Sequence, residues 1–130
     1  MQKEQQAVFV VPFVLIQLRC FEMNYLAELK KFSVVEDGTY TMEGKKIFHE
    51  TGFQVTFHQI GVEYSAEEYN AIVKKLSTVT RATPEVGRFS GFEPHISFCC
   101  ADRDMAVSIC KQYGQLAYWD WSKRESVYVH

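Results

Sequence analysis

The sequence lacks most of the features that would assign a chemistry outright. Its four cysteines, Cys20, Cys99, Cys100 and Cys110, form no C-x-x-C pair, which argues against a zinc ribbon and a thioredoxin-like redox centre. Cys99 and Cys100 are adjacent, so on a strand they point to opposite faces and do not suit a disulfide framework. Burial as small apolar side chains, in a reducing cytoplasm, is the expectation. Positive charge is also scarce. Fourteen basic side chains stand against sixteen acidic ones, a net charge of −2, and neither half of the chain carries a basic excess. Nucleic acid is therefore not an expected partner. No Walker loop, dinucleotide fingerprint or nucleophile elbow occurs. His49, His58 and His95 are dispersed, without H-x-H or H-x-x-x-H spacing, so no metal or other cofactor is assigned.

Long hydrophobic runs are absent too. Residues 7–16 read AVFVVPFVLI, about half of what a bilayer span needs. Residues 17–25 read QLRCFEMNY, with Arg19 and Glu22, rather than a small-residue cleavage site. Neither a membrane span nor a signal peptide is expected. Two readings stay open for residues 1–22: an edge strand interrupted at Pro12, or an extension ahead of a start at Met23.

A core, by contrast, is well supplied. The chain has 130 residues, 47% apolar and 23% charged, with ten Phe, seven Tyr and two Trp. That suits one globular domain spanning residues 1–130. A short helix is expected over 22–31. Asp37-Gly38 suits a tight turn between strands at 32–35 and 39–42, and residues 43–46 form the next turn. Residues 52–60, GFQVTFHQI, alternate apolar Phe53, Val55 and Phe57 with polar Gln54, Thr56 and His58, the pattern of a half-buried strand. Ser65 with Glu68 makes a capping box, and Tyr69, Ile72, Val73 and Leu76 give one apolar helical stripe. Residues 77–94 are irregular, apart from a short strand near 86–89. HISFCC at 95–100 is a second strand. Asp102 caps a second helix, lined by Met105, Ala106, Ile109, Cys110 and Tyr113 and stopped at Gly114. A hairpin of 116–121 with 126–129 closes the chain.

The order is that of an α+β domain: a mixed or antiparallel sheet with two main helices packed on one face, a two-layer sandwich. Two helices cover one face of such a sheet, so the other must meet solvent, a ligand or another subunit. The aromatic content favours another subunit and hence a homo-oligomer.

The candidate sites lie on that open face and its loops. His95-Ile96-Ser97-Phe98 has the form His–apolar–Ser/Thr–apolar, with His95 and Ser97 on one face of the strand. It resembles half of the signature of the two-histidine phosphoesterases. The resemblance implies a hydrolase in which two histidines act as acid and base on a phosphodiester. The matching position in the first motif is Gln54, 41 residues earlier, which does not exchange protons near neutral pH. His58, on the same face, is the histidine that would stand in. Arg81 and Arg88, among Gly87 and Gly91, form a second constellation, suited to a small anionic or nucleotide-like ligand. In Tyr118-Trp119-Asp120-Trp121, the tryptophans share one strand face. Core burial on the Trp side and a Trp119 contact to a partner or planar ligand are both open. The expectation is a domain that works by binding, through Arg81, Arg88, His58, His95 and Trp119, rather than by turnover. The hydrolase using His95, Ser97 and His58 is the alternative.

Overall fold

The computed structural model describes residues 23–89 and 91–129. The strand or extension expected over residues 1–22, and Cys20, lie outside them. Asn24 opens the first helix: its side-chain oxygen accepts from the Ala27 amide at 3.1 Å, meeting a donor the first turn leaves free. The helix, α1 (Tyr25–Leu29), tightens into a 3-10 turn, Lys30–Phe32. This corrects the strand expected over 32–35. Phe32 and Leu29 sit one helical turn apart and are both buried, and the Phe32 ring packs on Tyr40 at 5.8 Å. The hairpin forms one step later, between β1 (Gly38–Thr41) and β2 (Lys46–Ile47). Its turn is closed by the Gly44 amide donating to Thr41 O at 2.9 Å, with Gly44 at φ +98°, a conformation natural to glycine.

The remaining elements are β3 (Phe53–Thr56), α2 (Ala66–Thr80), β4 (Glu85–Arg88), β5 (His95–Cys100), α3 (Arg103–Gln112), β6 (Ala117–Asp120) and β7 (Glu125–Tyr128). The capping box is formed, Ser65 with Glu68, and Asp102 caps α3 through the Asp104 amide. Gly114, at φ +67°, follows the end of α3. Helix α2 runs on well beyond its apolar stripe. Thr78 and Thr80 hydroxyls donate to carbonyls four residues back, a local bond open to hydroxyl side chains in helices, and Arg81 ends the helix in the left-handed region. The irregular stretch expected from 77 therefore shrinks. The strand expected over 52–60 also ends early, after Thr56.

Among the described residues the sheet has seven strands in the order β2-β1-β4-β5-β3-β6-β7, and every pairing is antiparallel. Strand β5 lies between β3 and β4, which α2 connects, and β3 lies between β5 and β6, which α3 connects. Each is a split βαβ unit. The described residues are thus α+β, with three α-helices and an antiparallel sheet. One apolar cluster joins Tyr69, Val73 and Leu76 of α2, Ala106, Ile109 and Cys110 of α3, and alternate strand residues including Val55, Val86, Ile96 and Phe98. Tyr118 belongs to that cluster, whereas Trp121, one residue beyond β6, is buried outside it. No helix among the described residues is long and apolar enough to cross a membrane.

Candidate functional site

The strand residues that alternate with the cluster carry a hydrogen-bond network centred on Gln54. Its Nε2 donates to Glu85 Oε1 at 2.8 Å and to Ser97 Oγ at 2.9 Å. Its Oε1 accepts from the Trp121 indole N–H at 2.8 Å. That pattern fixes the amide orientation, since a flipped Gln54 would set oxygen against the Glu85 carboxylate. His49 Nε2 completes the network, 3.0 and 3.1 Å from the two Glu85 oxygens, and its ring meets Trp121 edge-on. Gln54, Glu85, Ser97 and Trp121 are all buried. Their polar groups are therefore paired as burial requires.

Beside this network lies a slot of about 350 Å³. Its floor is built from small side chains, Thr39, Thr56, Gly87 and Ser97, and Trp119 and the Phe89–His95 pair stand along it. The Phe89 and His95 rings stack 25° from parallel, with centroids 6.0 Å apart. Gly87, opposite His95 in the β4–β5 register, makes room for them. A Cβ there would stand 3.0 Å from His95 Nε2 and 3.4 Å from the Phe89 ring. His95 Nδ1 lies 3.3 Å from the Glu93 carbonyl. A carbonyl only accepts, so Nδ1 carries the proton and Nε2 is bare. Burial lowers the His95 pKa, and nearby His58 adds to this, against the opposing pull of the Glu93 carbonyl. The ring is neutral at pH 7. Ser97 Oγ accepts from Gln54 and keeps a hydrogen to give.

His95 and Thr56 also line a second pocket, of about 740 Å³, with His58. The β3–β5 register pairs Thr56 with Ser97; extended two residues, it sets His58 level with His95. The buried Tyr69 hydroxyl accepts from the Ile96 amide at 3.2 Å and lies 3.2 Å from His58 Nδ1. Burial holds that hydroxyl well above its ordinary pKa, so it stays protonated at neutral pH. When its hydrogen goes to Nδ1, His58 carries its own on Nε2. Burial lowers the His58 pKa as well, against the Glu93 carboxylate. In that arrangement the two histidines hold opposite tautomers: His58 offers an N–H, and His95 a lone pair.

The structure brings His58, His95, Ser97 and Trp119 around these adjoining cavities but leaves the two arginines out. The Arg88 guanidinium donates to Phe89 O and Phe92 O, at 2.8 and 2.6 Å, and to Ser33 O at 3.2 Å. Arg81 sits at the end of α2, and neither arginine lines the slot or the second pocket. Among the described residues no group of three His, Cys, Asp or Glu side chains is placed to hold a metal ion. Cys99, Cys100 and Cys110 are free thiols, and burial pushes them up to about 11, 12 and 11. None is a nucleophilic thiolate at neutral pH. Sequence reasoning names Gly87 only as part of the arginine constellation, and does not single out Glu85, Phe89 or Trp121 as site residues. Glu85, Gly87 and Phe89 share one face by period-two alternation, and that alternation is the signal that could have found them.

No family model, curated protein or solved structure matches the chain. The site is therefore interpreted from its own geometry.

Proposed function

We propose that the chain is a binding domain for a small planar heterocycle of nucleobase type, held in the slot beside Trp119 and the Phe89–His95 pair. The reading takes α2 and α3 as covering one face of the sheet in a two-layer sandwich, an arrangement supported by the apolar cluster they share with Val55, Ile96 and Phe98. The other face is then left for the ligand. One observation carries the proposal: a floor of small side chains beside aromatic rings, with the bare His95 Nε2 and the Ser97 hydroxyl beside it. Flat rings stack on aromatic side chains, and a neighbouring acceptor and donor suit the edge of a heterocyclic amide. No lysine or arginine among the described residues lines the slot, which favours the ring itself over an attached phosphate.

Calorimetric titration with neutral purine and pyrimidine nucleosides tests this. Trp119→Ala should weaken binding at least about fivefold, since stacking a base on an aromatic ring contributes about 1–3 kcal/mol. Affinity should also fall as pH drops below neutral, because protonating His95 Nε2 removes the acceptor; its lowered pKa places that loss below the ordinary histidine range. Absence of binding by every nucleoside at millimolar concentration would refute the proposal.

A second reading, the phosphoesterase-like hydrolase, is favoured by His58 and His95 lining one pocket as N–H donor and bare base. In it His95 takes a proton from the attacking water and His58 donates to the leaving oxygen, with Ser97 two residues from His95 in the adjoining slot. The carboxylates of Glu63 and Glu93 line the same pocket and oppose a phosphodiester, so binding stands first. A phosphodiester hydrolysis assay separates the two. Under the hydrolase reading the wild type turns over and His95→Ala, still folded, does not; a wild type that hydrolyses no phosphodiester ends it.

A further inference from the structure

The pocket that holds His58 has a mouth and a charge that heterocycle binding in the slot does not use. Three apolar side chains stand at it in the open: Ile60 is 82% exposed, Phe92 53% and Val62 41%. Glu63 and Glu93 line it as well, both exposed, and among the described residues no lysine or arginine does. The Glu93 carboxylate opposes the lowering of the His58 pKa by burial. At the base are uncharged polar groups, Thr56, His58 and Gln115. The Gln115 amide is anchored on His58 O at 3.1 Å, so the base of the pocket is tied to its wall.

From these residues we infer that the pocket binds an organic cation with an apolar body, an ammonium group carried on an aromatic or hydrocarbon frame. The apolar body removes Ile60, Val62 and Phe92 from water, which is favourable in proportion to the area covered. The ammonium is drawn to two carboxylates, a moderate attraction at an exposed site, and the Phe92 ring adds the pull of an aromatic face on a cation. An anion of the same shape meets two like charges and no basic partner. A neutral compound of that shape keeps the burial and lacks the charge term. The site adjoins the slot, with Thr56 and His95 common to both, but its apolar mouth and its carboxylates are not part of the slot, and the inference stands or falls separately from heterocycle binding.

The test is titration of the full chain, followed by amide NMR, with three probes that share a phenyl body: phenethylammonium, 3-phenylpropanol and 3-phenylpropionate. The ammonium should shift the amides of residues 60–63 and 91–93 and bind at least about tenfold more tightly than the carboxylate, with the alcohol between them. In the double variant Glu63→Gln, Glu93→Gln the ammonium and the alcohol should bind alike. Both side chains are exposed, so the variant should fold, which the dispersion of its amide spectrum reports directly. Equal or tighter binding of the carboxylate overturns the inference. So does an ammonium affinity unchanged in the double variant, or the absence of binding by all three probes at millimolar concentration. Competition with a nucleoside is not expected at Trp119, which keeps this outcome apart from that of the slot.

Discussion

Gln54 is the residue on which the sequence and the structure differ most. On the sequence it occupies the place of a second catalytic histidine and reads as a loss. In the structure it is the hub of a buried network that joins β3, β4, β5 and the turn after β6. Removing it leaves the Trp121 N–H and the Ser97 hydroxyl short of a partner and takes one of two bonds from Glu85 Oε1, which keeps His49, and a buried polar group without a partner costs about 1–3 kcal/mol. Gln54→Leu should therefore destabilise the protein by about 2–4 kcal/mol, read as the shift in urea denaturation midpoint. The companion variant Trp121→Phe removes the orphaned donor in advance. The double variant should lose less than the two single variants added together, the non-additivity expected of groups in one network. An additive result would mean that these hydrogen bonds are not energetically coupled. None of this was legible in the sequence, because the partners of Gln54 lie 31, 43 and 67 residues away and meet it only through strand register. His95 and Ser97 were legible for the opposite reason. They are two residues apart on one strand, and alternation alone places them together.

At the scale of elements, the sequence was clearest where the signal is local and chemical. The capping box at Ser65, the cap at Asp102 and the alternation of β5 all appear where residue type and spacing put them. It failed where long-range packing decides. Phe32 and Val35 are β-prone, yet Leu29 and Phe32 bury more by continuing a helical turn into the cluster, so tertiary contact overrides propensity. The Asp-Gly pair at 37–38 is a sound turn signal that ended up leading into β1 rather than closing a hairpin. For the face that Trp119 and Trp121 share, core burial and an outward contact both stayed open. The structure gives the apolar cluster to Tyr118, whose hydroxyl accepts from Arg103 Nε at 3.1 Å, and gives Trp121 to the polar network, where its N–H has a partner. A large aromatic with a polar handle goes where that handle is met. Fold class was therefore readable, but the choice of which face of β6 looks inward was not.

At the scale of the whole molecule, the remaining question is what meets the surface the fold leaves open. The aromatic content suggests a second subunit, and we expect one, but at the sheet edge rather than over the slot. The slot is the place proposed for the ligand, so a second subunit needs another surface. The edge strand β7 offers one. Its outer side pairs with no strand among the described residues, and Tyr128, which pairs with Ala117 in the β6–β7 register, is 71% exposed. Two such edges laid antiparallel would continue the sheet across the contact and cover both tyrosines, the usual route by which an unprotected edge finds a partner. Sedimentation equilibrium at micromolar concentration should therefore give a mass above the 15.1 kDa of the single chain. Tyr128→Lys places a charge on that edge, a device by which edge strands avoid pairing, and should return the protein to 15.1 kDa with its fold and its slot intact. A wild type that stays monomeric across the concentration range removes the second subunit from the account. It would leave the ligand as the proposed occupant of the open surface.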